Sequence, residues 1–204
     1  MTIQVQIFTR TPLSNNNYVV LDSDSHEAVL IDCSEPADDI MEYIQQQGCQ
    51  LKYVLLTHAH FDHVLGVQYF QDKYHVPVYG SRKDQTLLNH INDYTTWLKL
   101  PKVKVPKLDG YLEDQNLTLG QYPIKVIATP GHTEGCVCYL IQNLLFSGDT
   151  LFKGSYGRTD FPGGSVRDIQ KSLHMLFDTL SDDVVVYPGH GAATTIKSER
   201  ALYK

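Results

Sequence analysis

Between Thr57 and His63 the chain reads Thr-His-Ala-His-Phe-Asp-His, which places His58, His60, Asp62 and His63 almost side by side. This segment follows the apolar run Tyr53-Val54-Leu55-Leu56, which predicts a buried strand. Extension of that strand throws His58 and His60 to one side, because side chains two apart share a face. Asp62 and His63 then fall at the turn into the next segment and approach the same point from another direction. Imidazole and carboxylate together suit borderline and hard divalent cations such as Zn, Fe or Mn. Such a cluster could hold more than one ion if other segments supply the missing ligands.

Four other segments are placed to do so. Ile124-Lys125-Val126-Ile127-Ala128 leads to Thr129-Pro130-Gly131-His132, and Leu144-Leu145-Phe146 leads to Ser147-Gly148-Asp149. Val184-Val185-Val186-Tyr187 leads to Pro188-Gly189-His190-Gly191, and Ala28-Val29-Leu30-Ile31 leads to Asp32. Each group stands where a strand ends, the place where α/β folds collect function. Glycine beside a ligand lets the backbone turn tightly and come close to a bound ion.

The elements that must position these groups can be read in outline. Thr2 to Phe8 alternates apolar and polar residues and predicts a strand with one solvated face. Asn15-Asn16-Asn17 reads as a turn, followed by strands over Tyr18–Leu21 and Ala28–Ile31. Ser34 is expected to cap a helix with Pro36 in its first turn, an apolar stripe of Ile40, Tyr43 and Ile44, and Gly48 at its end. Asp62 to Tyr74 reads as one helix with Val64, Val67 and Phe70 on a face. Leu87, Leu88, Ile91 and Trp97 indicate a further helix in 81–108, with Pro101 and Pro106 ending regular structure. A strand pair is expected around Leu117–Leu119 and Ile124–Ala128, then strands over Cys136–Ile141 and Leu144–Phe146. Val166, Ile169, Leu173, Leu176, Phe177 and Leu180 line one face of a strong amphipathic helix. Val184–Tyr187 is the last buried strand. Hairpins mixed with crossovers give an α/β class with mixed sheets.

The 204 residues fit a single domain, 1–204. Four cysteines (Cys33, Cys49, Cys136 and Cys138) are too few and too irregular for a disulfide framework. Cys136 and Cys138, two apart in a strand, read as small core residues pointing the same way rather than as a thiolate metal site. A net charge of −6 argues against a nucleic-acid surface. No apolar run approaches the ~20 residues of a membrane span. Met1 to Arg10 lacks the pattern of a secretory signal, so the cytoplasm is the expected location. His26, His75, His90 and His174 read as ordinary polar residues.

Taken in order, His58-x-His60-x-Asp62-His63, His132, Asp149 and His190 resemble the metallo-β-lactamase superfamily over nearly the whole chain. The resemblance implies a four-layer αββα sandwich with two mixed sheets and the metals at one edge. It implies that His58, His60 and His132 hold a first metal, and Asp62, His63 and His190 a second. Asp149 resembles the carboxylate that bridges both, and Asp32 the acid that steadies the ligands from behind. Two divalent ions, with Zn expected and Fe or Mn possible, would lower the pKa of a shared water from ~15.7 towards ~7 and polarise a substrate carbonyl. Asp62 would orient the resulting hydroxide. A thioester, with its good leaving group, suits that machinery.

The segment from Thr150 to Gly164 resembles the glyoxalase II branch, which hydrolyses thioesters such as S-lactoylglutathione. There the equivalent loop borders the substrate pocket, so Lys153 and Tyr156 are candidates for holding a substrate carboxylate or amide. Arg158 reads either as a third such group or as a buried ion-pair partner of Asp160. The sequence ends 14 residues after His190, where two-domain glyoxalase II enzymes carry a helical glutathione-binding domain. The resemblance is therefore to the short, single-domain, glyoxalase II-like hydrolases, acting on a small-molecule thioester with neither nucleic acid nor membrane as partner.

The nearest rival on that fold is a persulfide dioxygenase, a mononuclear Fe(II) oxygenase. It shares the stretch Gly157-Arg158-Thr159-Asp160-Phe161 and would use His58, His132 and Asp149 as its facial triad. Pro162 and Pro188-Gly189-His190-Gly191 resemble the hydrolase branch instead. A lactonase or other ester hydrolase would use the same chemistry, and a metal-binding module without turnover would keep the ligands alone. Lactamases proper usually carry cysteine at the Asp149 position, and the nuclease branch needs a basic surface.

Overall fold

The structure, a computed structural model, describes residues 3–203. Thr2, expected to begin the first strand, lies outside them. The first sheet contains β1 (Ile3–Arg10), β2 (Asn15–Asp22), β3 (Glu27–Ile31), β4 (Gln50–Leu55), β5 (Val78–Gly80) and β6 (Gly110–Tyr111) in sequential order. A two-stranded ribbon follows, β7 (Thr118–Leu119) with β8 (Tyr122–Pro123). The second sheet is built from β9 (Lys125–Ala128), β10 (Val137–Ile141), β11 (Leu144–Gly148), β12 (Val185–Pro188) and β13 (Thr194–Thr195), in the order β13-β12-β11-β10-β9. Both sheets are mixed: β1 to β3 are antiparallel while β3 to β6 run parallel, and the β11–β12 pair is the parallel one in the second sheet.

Why the central strands are apolar at every position follows from what covers them. In β3, Ala28 and Leu30 face the helical layer, while Val29 and Ile31 face the second sheet. In β10, Val137, Tyr139 and Ile141 meet the first sheet, and Cys138 packs towards the opposite helical layer. A strand buried on both faces has no position left for alternation with polar residues. The outer layers are helical. One side carries α1 (Asp38–Gln46), α2 (Phe61–Val64), α3 (Val67–Tyr74), α4 (Gln85–Asn89) and α5 (Ile91–Trp97). The other carries α6 (Val166–Thr179) and α7 (Ile196–Arg200). The result is the αββα sandwich expected from the sequence.

Several local expectations are corrected. Asn15-Asn16-Asn17 is no turn: the three residues open β2 and are buried, because their side chains are spent on contacts with the loops around the site. Asn16 donates to the Pro188 and Gly191 carbonyls, and Asn17 to Asn15 Oδ1 and Ser34 Oγ. Ser34, engaged there, does not cap α1; Ala37 stands at that position and the acidic pair Asp38 and Asp39 complements the helix N-terminus. The single helix expected over Asp62–Tyr74 is two, α2 and α3, broken at Gly66. Gly66 N–H donates to Cys33 O at 2.9 Å, and a Cβ there would come within 2.2 Å of Glu35 O. Only glycine permits that approach.

The expected pairing of 117–119 with 124–128 also fails: β7 pairs with β8, and β9 pairs with β10. In 81–108 two short helices replace one, and Trp97, expected on the apolar stripe, is 73% exposed. Val166 likewise lies outside the buried face of α6.

Candidate metal centre

The loop after β4 and the first turn of α2 deliver His58, His60, Asp62 and His63 to one edge of the sandwich. His132 arrives from the loop after β9, Asp149 directly follows β11, and His190 follows β12. Three groups of ligand atoms gather there: His58 with His60 and His132; His58 with His63 and Asp149; and Asp62 with His63 and His190. Within each, the atoms lie no more than 4.8 Å apart. Asp149 stands between the outer two, 3.3 Å from His63 Nε2, 3.4 Å from His132 Nε2 and 3.6 Å from His190 Nε2. Asp62 Oδ2 is 3.2 Å from His190 Nε2.

The hydrogen bonds behind the imidazoles assign their tautomers. His132 Nδ1 lies 2.6 Å from the Arg158 carbonyl, which only accepts, so the proton is on Nδ1 and the Nε2 lone pair faces the site. His63 Nδ1 lies 2.7 Å from Asp32 Oδ2, and Nε2 therefore faces Asp149 and Asp62. Thr57 Oγ1 donates to Asp32 Oδ2 at 2.8 Å and so receives His58 Nδ1–H at 3.1 Å, which turns the His58 Nε2 lone pair inward too. Asp32 also accepts the Thr57 backbone N–H at 2.8 Å. One carboxylate thus orients two imidazoles, the arrangement by which outer groups usually fix metal ligands.

These constraints fit cations. His60 Nδ1 lies 3.1 Å from His58 Nε2 and 2.7 Å from His132 Nε2. A proton on His60 serves one of those neighbours, whereas a cation serves all three. Asp149 Oδ1 is buried with no polar neighbour better placed than His63 Nε2 at 3.3 Å, a costly state for a carboxylate oxygen that a coordinated cation relieves. Electrostatics agree. Burial raises the carboxyl of Asp149, but His63, His132 and His190 hold it well below the usual range. Burial opposes charge on His63, yet Asp32, Asp149 and Asp62 push its imidazole well above its ordinary value. Burial together with the neighbouring imidazoles, His132 foremost, lowers His60 to about 3 despite the carboxylates nearby. One half of the centre thus repels protons, while the carboxylates of the other draw positive charge towards it.

The substrate-loop candidates fare differently. Arg158 does pair with Asp160, with Nε and Nη2 at 2.7 and 2.6 Å from the two carboxylate oxygens, but the pair is exposed rather than buried. Its guanidinium lies over the Phe161 ring at 3.9 Å. Lys153 borders a hollow with Gly154, Thr194 and Glu199, and Tyr156 packs at a tilt against Tyr203, with ring centres 6.2 Å apart. In that segment Phe152, 6.0 Å from the His190 ring, and Phe161, 5.8 Å from the His60 ring, are the side chains that face ligands. Cys136 and Cys138 are both buried; Cys138 lies in the core against α6, and Cys136 accepts a hydrogen bond from Thr133 N–H.

Two functional residues escaped the sequence reading. Asn15, buried at the start of β2, holds its amide 2.8 Å from His63 Nε2. Asp84, also buried, accepts from Ala59 N–H at 3.0 Å, Thr133 Oγ1 at 2.8 Å and Gly135 N–H at 2.8 Å. It therefore ties the loop carrying His58 and His60 to the loop carrying His132. A buried acid beyond the ligand motif, in a segment with weak periodicity, offered no local signal.

Fold and site together define a metal-binding αββα hydrolase scaffold. The chain belongs to the metallo-beta-lactamase superfamily, whose profile matches residues 10–190. Among its curated relatives are the "Probable metallo-hydrolase YqgX" of Bacillus subtilis, 31% identical over 93% of this chain and 90% of that one, and the "Hydroxyacylglutathione hydrolase GloC" of Haemophilus influenzae, 30% identical over 97% and 95%. Similar solved structures include BLEG-1 B3 metallo-beta-lactamase, with a TM-score of 0.88 and 33% identity over 97% of both chains. TTHA1623 in a di-iron-bound form gives 0.85 and 32% over 96% of both. ETHE1 from Myxococcus xanthus gives 0.77 and 27% over 98% of this chain and 83% of that one. Among the described residues, no helix is long and apolar enough to cross a membrane.

Proposed function

We propose that this metallo-hydrolase is a cytoplasmic thioester hydrolase of the S-lactoylglutathione type that works with two divalent cations, Zn in the first instance. The observation that carries the reading is the complete ligand set, two clusters of three joined by Asp149. The likeness to a relative named hydroxyacylglutathione hydrolase supports the choice of substrate class. A small-molecule substrate, without nucleic acid or membrane, fits the acidic composition.

When bound, the cations supply Lewis acidity, which acidifies water and polarises the acyl carbonyl. The chain's own residues do the rest. His58, His60 and His132 hold one position; Asp62, His63 and His190 the other; Asp149 joins them. Asp62 directs Oδ2 towards His190 and His63, and as a ligand at that position it would orient the nucleophile. Asp32 and the Arg158 carbonyl keep the imidazoles from turning. Phe161, whose ring centre is 5.8 Å from that of His60, walls one side of the site.

A second reading, an Fe(II) persulfide dioxygenase, is favoured by the likeness to ETHE1. One experiment separates the two. Protein loaded in turn with Zn, Mn and Fe is assayed for thioester loss from S-lactoylglutathione, beside an oxygen electrode with glutathione persulfide and a β-lactam control. Metal-dependent thioester cleavage without oxygen uptake is the expected result. Oxygen uptake only with Fe, and no cleavage, would replace this reading with the oxygenase.

A further inference from the structure

Beside the metal ligands the surface opens into a trough that none of the motif residues builds. Its inner part, about 470 Å³, is mixed, with Lys83, His90, Asp93 and Glu134 beside Leu87 and Tyr94 in its lining; an outer, mainly aromatic part of about 260 Å³ is bounded by Asp93, Tyr94, Trp97 and Phe161. The two parts share Asp93 and Tyr94. Tyr94 and Phe161 also border the centre itself, with ring centres 6.4 and 5.8 Å from that of His60. Tyr94 is fixed by stacking on Phe61 at 6.1 Å. Trp97, the chain's single tryptophan, stands 73% exposed on the outer wall. An amphipathic helix spends its aromatic residues on burial unless something else covers them.

We propose that this trough is the acyl subsite and that it selects thioesters whose acyl group is neutral and apolar. The inference rests on the thioester-hydrolase reading above. Its steps are geometric and chemical. A carbonyl held at the cations lies beside His60, so a chain leaving it on that side runs over Tyr94 and Phe161 towards Trp97. The outer part is lined by three aromatic residues and one acid, Asp93, while the Arg158 cation over Phe161 is already paired with Asp160, so a carboxylate at the end of an acyl chain meets Asp93 without a free cation in that part. Volumes of this size match ordinary small-molecule sites. Aromatic faces also hold aliphatic and aromatic groups at little entropic cost.

Trp97 provides a direct readout, because no other tryptophan contributes to the emission. Metal-loaded protein is titrated with hexanoate and with succinate while tryptophan emission is followed. In parallel, kcat/KM is measured for acetyl, butyryl, hexanoyl and succinyl thioesters of N-acetylcysteamine, in the parent and in Trp97→Ala and Phe161→Ala. Hexanoate is expected to shift the emission to shorter wavelength saturably, and succinate to leave it unmoved. Each added methylene should raise kcat/KM by roughly four-fold, with the succinyl thioester the poorest. Trp97→Ala should reduce the hexanoyl-to-acetyl ratio by roughly ten-fold; being exposed, this position carries little of the fold. Turnover with a flat chain-length series and no emission shift overturns the subsite while leaving the hydrolase standing. A saturable shift without turnover on any thioester sinks the hydrolase and keeps a ligand site for apolar acids. Emission that depends on protein concentration instead assigns Trp97 to contact between copies and overturns the proposal.

Discussion

Asp84→Asn is the substitution that tests most directly whether the two ligand loops are tied from behind. Asp84 uses Oδ1 for Gly135 N–H and Oδ2 for Ala59 N–H and the Thr133 hydroxyl. Asparagine keeps the shape but has one acceptor oxygen. Whichever way it turns, its NH2 faces a backbone N–H, and a buried donor left without a partner costs about 1–3 kcal/mol. The remaining bonds lose their ionic component, which roughly halves them. A stability loss of about 2–4 kcal/mol follows, or a Tm lower by roughly 4–16 °C in a chain of this length. Because Ala59 lies between His58 and His60, the released loop also loosens the first ligand group relative to His132. Supporting groups of this kind typically contribute 10–100-fold in metal affinity. Chelator competition with a metal-sensitive dye measures the affinity, and thermal denaturation of the loaded protein measures the stability. Thr133→Val, which removes one bond and keeps both backbone donors satisfied, should give a smaller effect in both. Metal affinity within two-fold of the parent and an unchanged Tm for Asp84→Asn would refute the reasoning.

Three other outcomes are expected. Asp149→Ala should lose one of two bound cations, measured by metal analysis of the dialysed protein, and turnover on the order of 10²–10³-fold, as several kcal/mol of Lewis-acid stabilisation implies; parent-like stoichiometry and rate would refute the bridging role. Gly189→Ala places a Cβ 2.4 Å from Asp149 Oδ1 and 2.8 Å from His63 Cε1, so the carboxylate must move. A displacement near 1 Å at such a site costs on the order of 10²-fold in rate, read by steady-state kinetics, with far-UV circular dichroism as the fold control. Burial pushes the Cys138 thiol up to about 11 and those of Cys33 and Cys136 well above the ordinary value, so no thiolate is present at neutral pH. Ellman's reagent at about pH 8 should therefore find none of these three reactive in the native state and all of them after denaturation.

The site was more legible than the framework around it. His58, His60, Asp62, His63, His132, Asp149 and His190 each follow an apolar run, and burial of a strand on both faces writes such runs plainly into sequence. The failures share a cause. Asn15-Asn16-Asn17 has turn composition, yet its side chains satisfy the carbonyls of Pro188 and Gly191 and the hydroxyl of Ser34, partners as much as 175 residues away. The break between α2 and α3 comes from the close approach of Gly66 to Cys33 and Glu35, which helical periodicity does not encode. Arg158 and Asp160 do pair, but whether that pair is buried depends on what covers the loop.

The sequence by itself determined the chemistry available: which donor atoms exist, their order, and the strand ends that carry them. Those are local properties, set by side-chain type and by the period of the apolar residues. The tertiary structure decided which nitrogen of each imidazole faces the centre, through Asp32, Thr57 and the Arg158 carbonyl. It also decided that Asp149 stands between two clusters, that Asp84 locks one loop to another, and that Trp97 reaches solvent beside His60's aromatic neighbours. Each of these is a contact between segments far apart in the chain. Such contacts depend on how two sheets and their helices close on one another, and no stretch of sequence records that on its own.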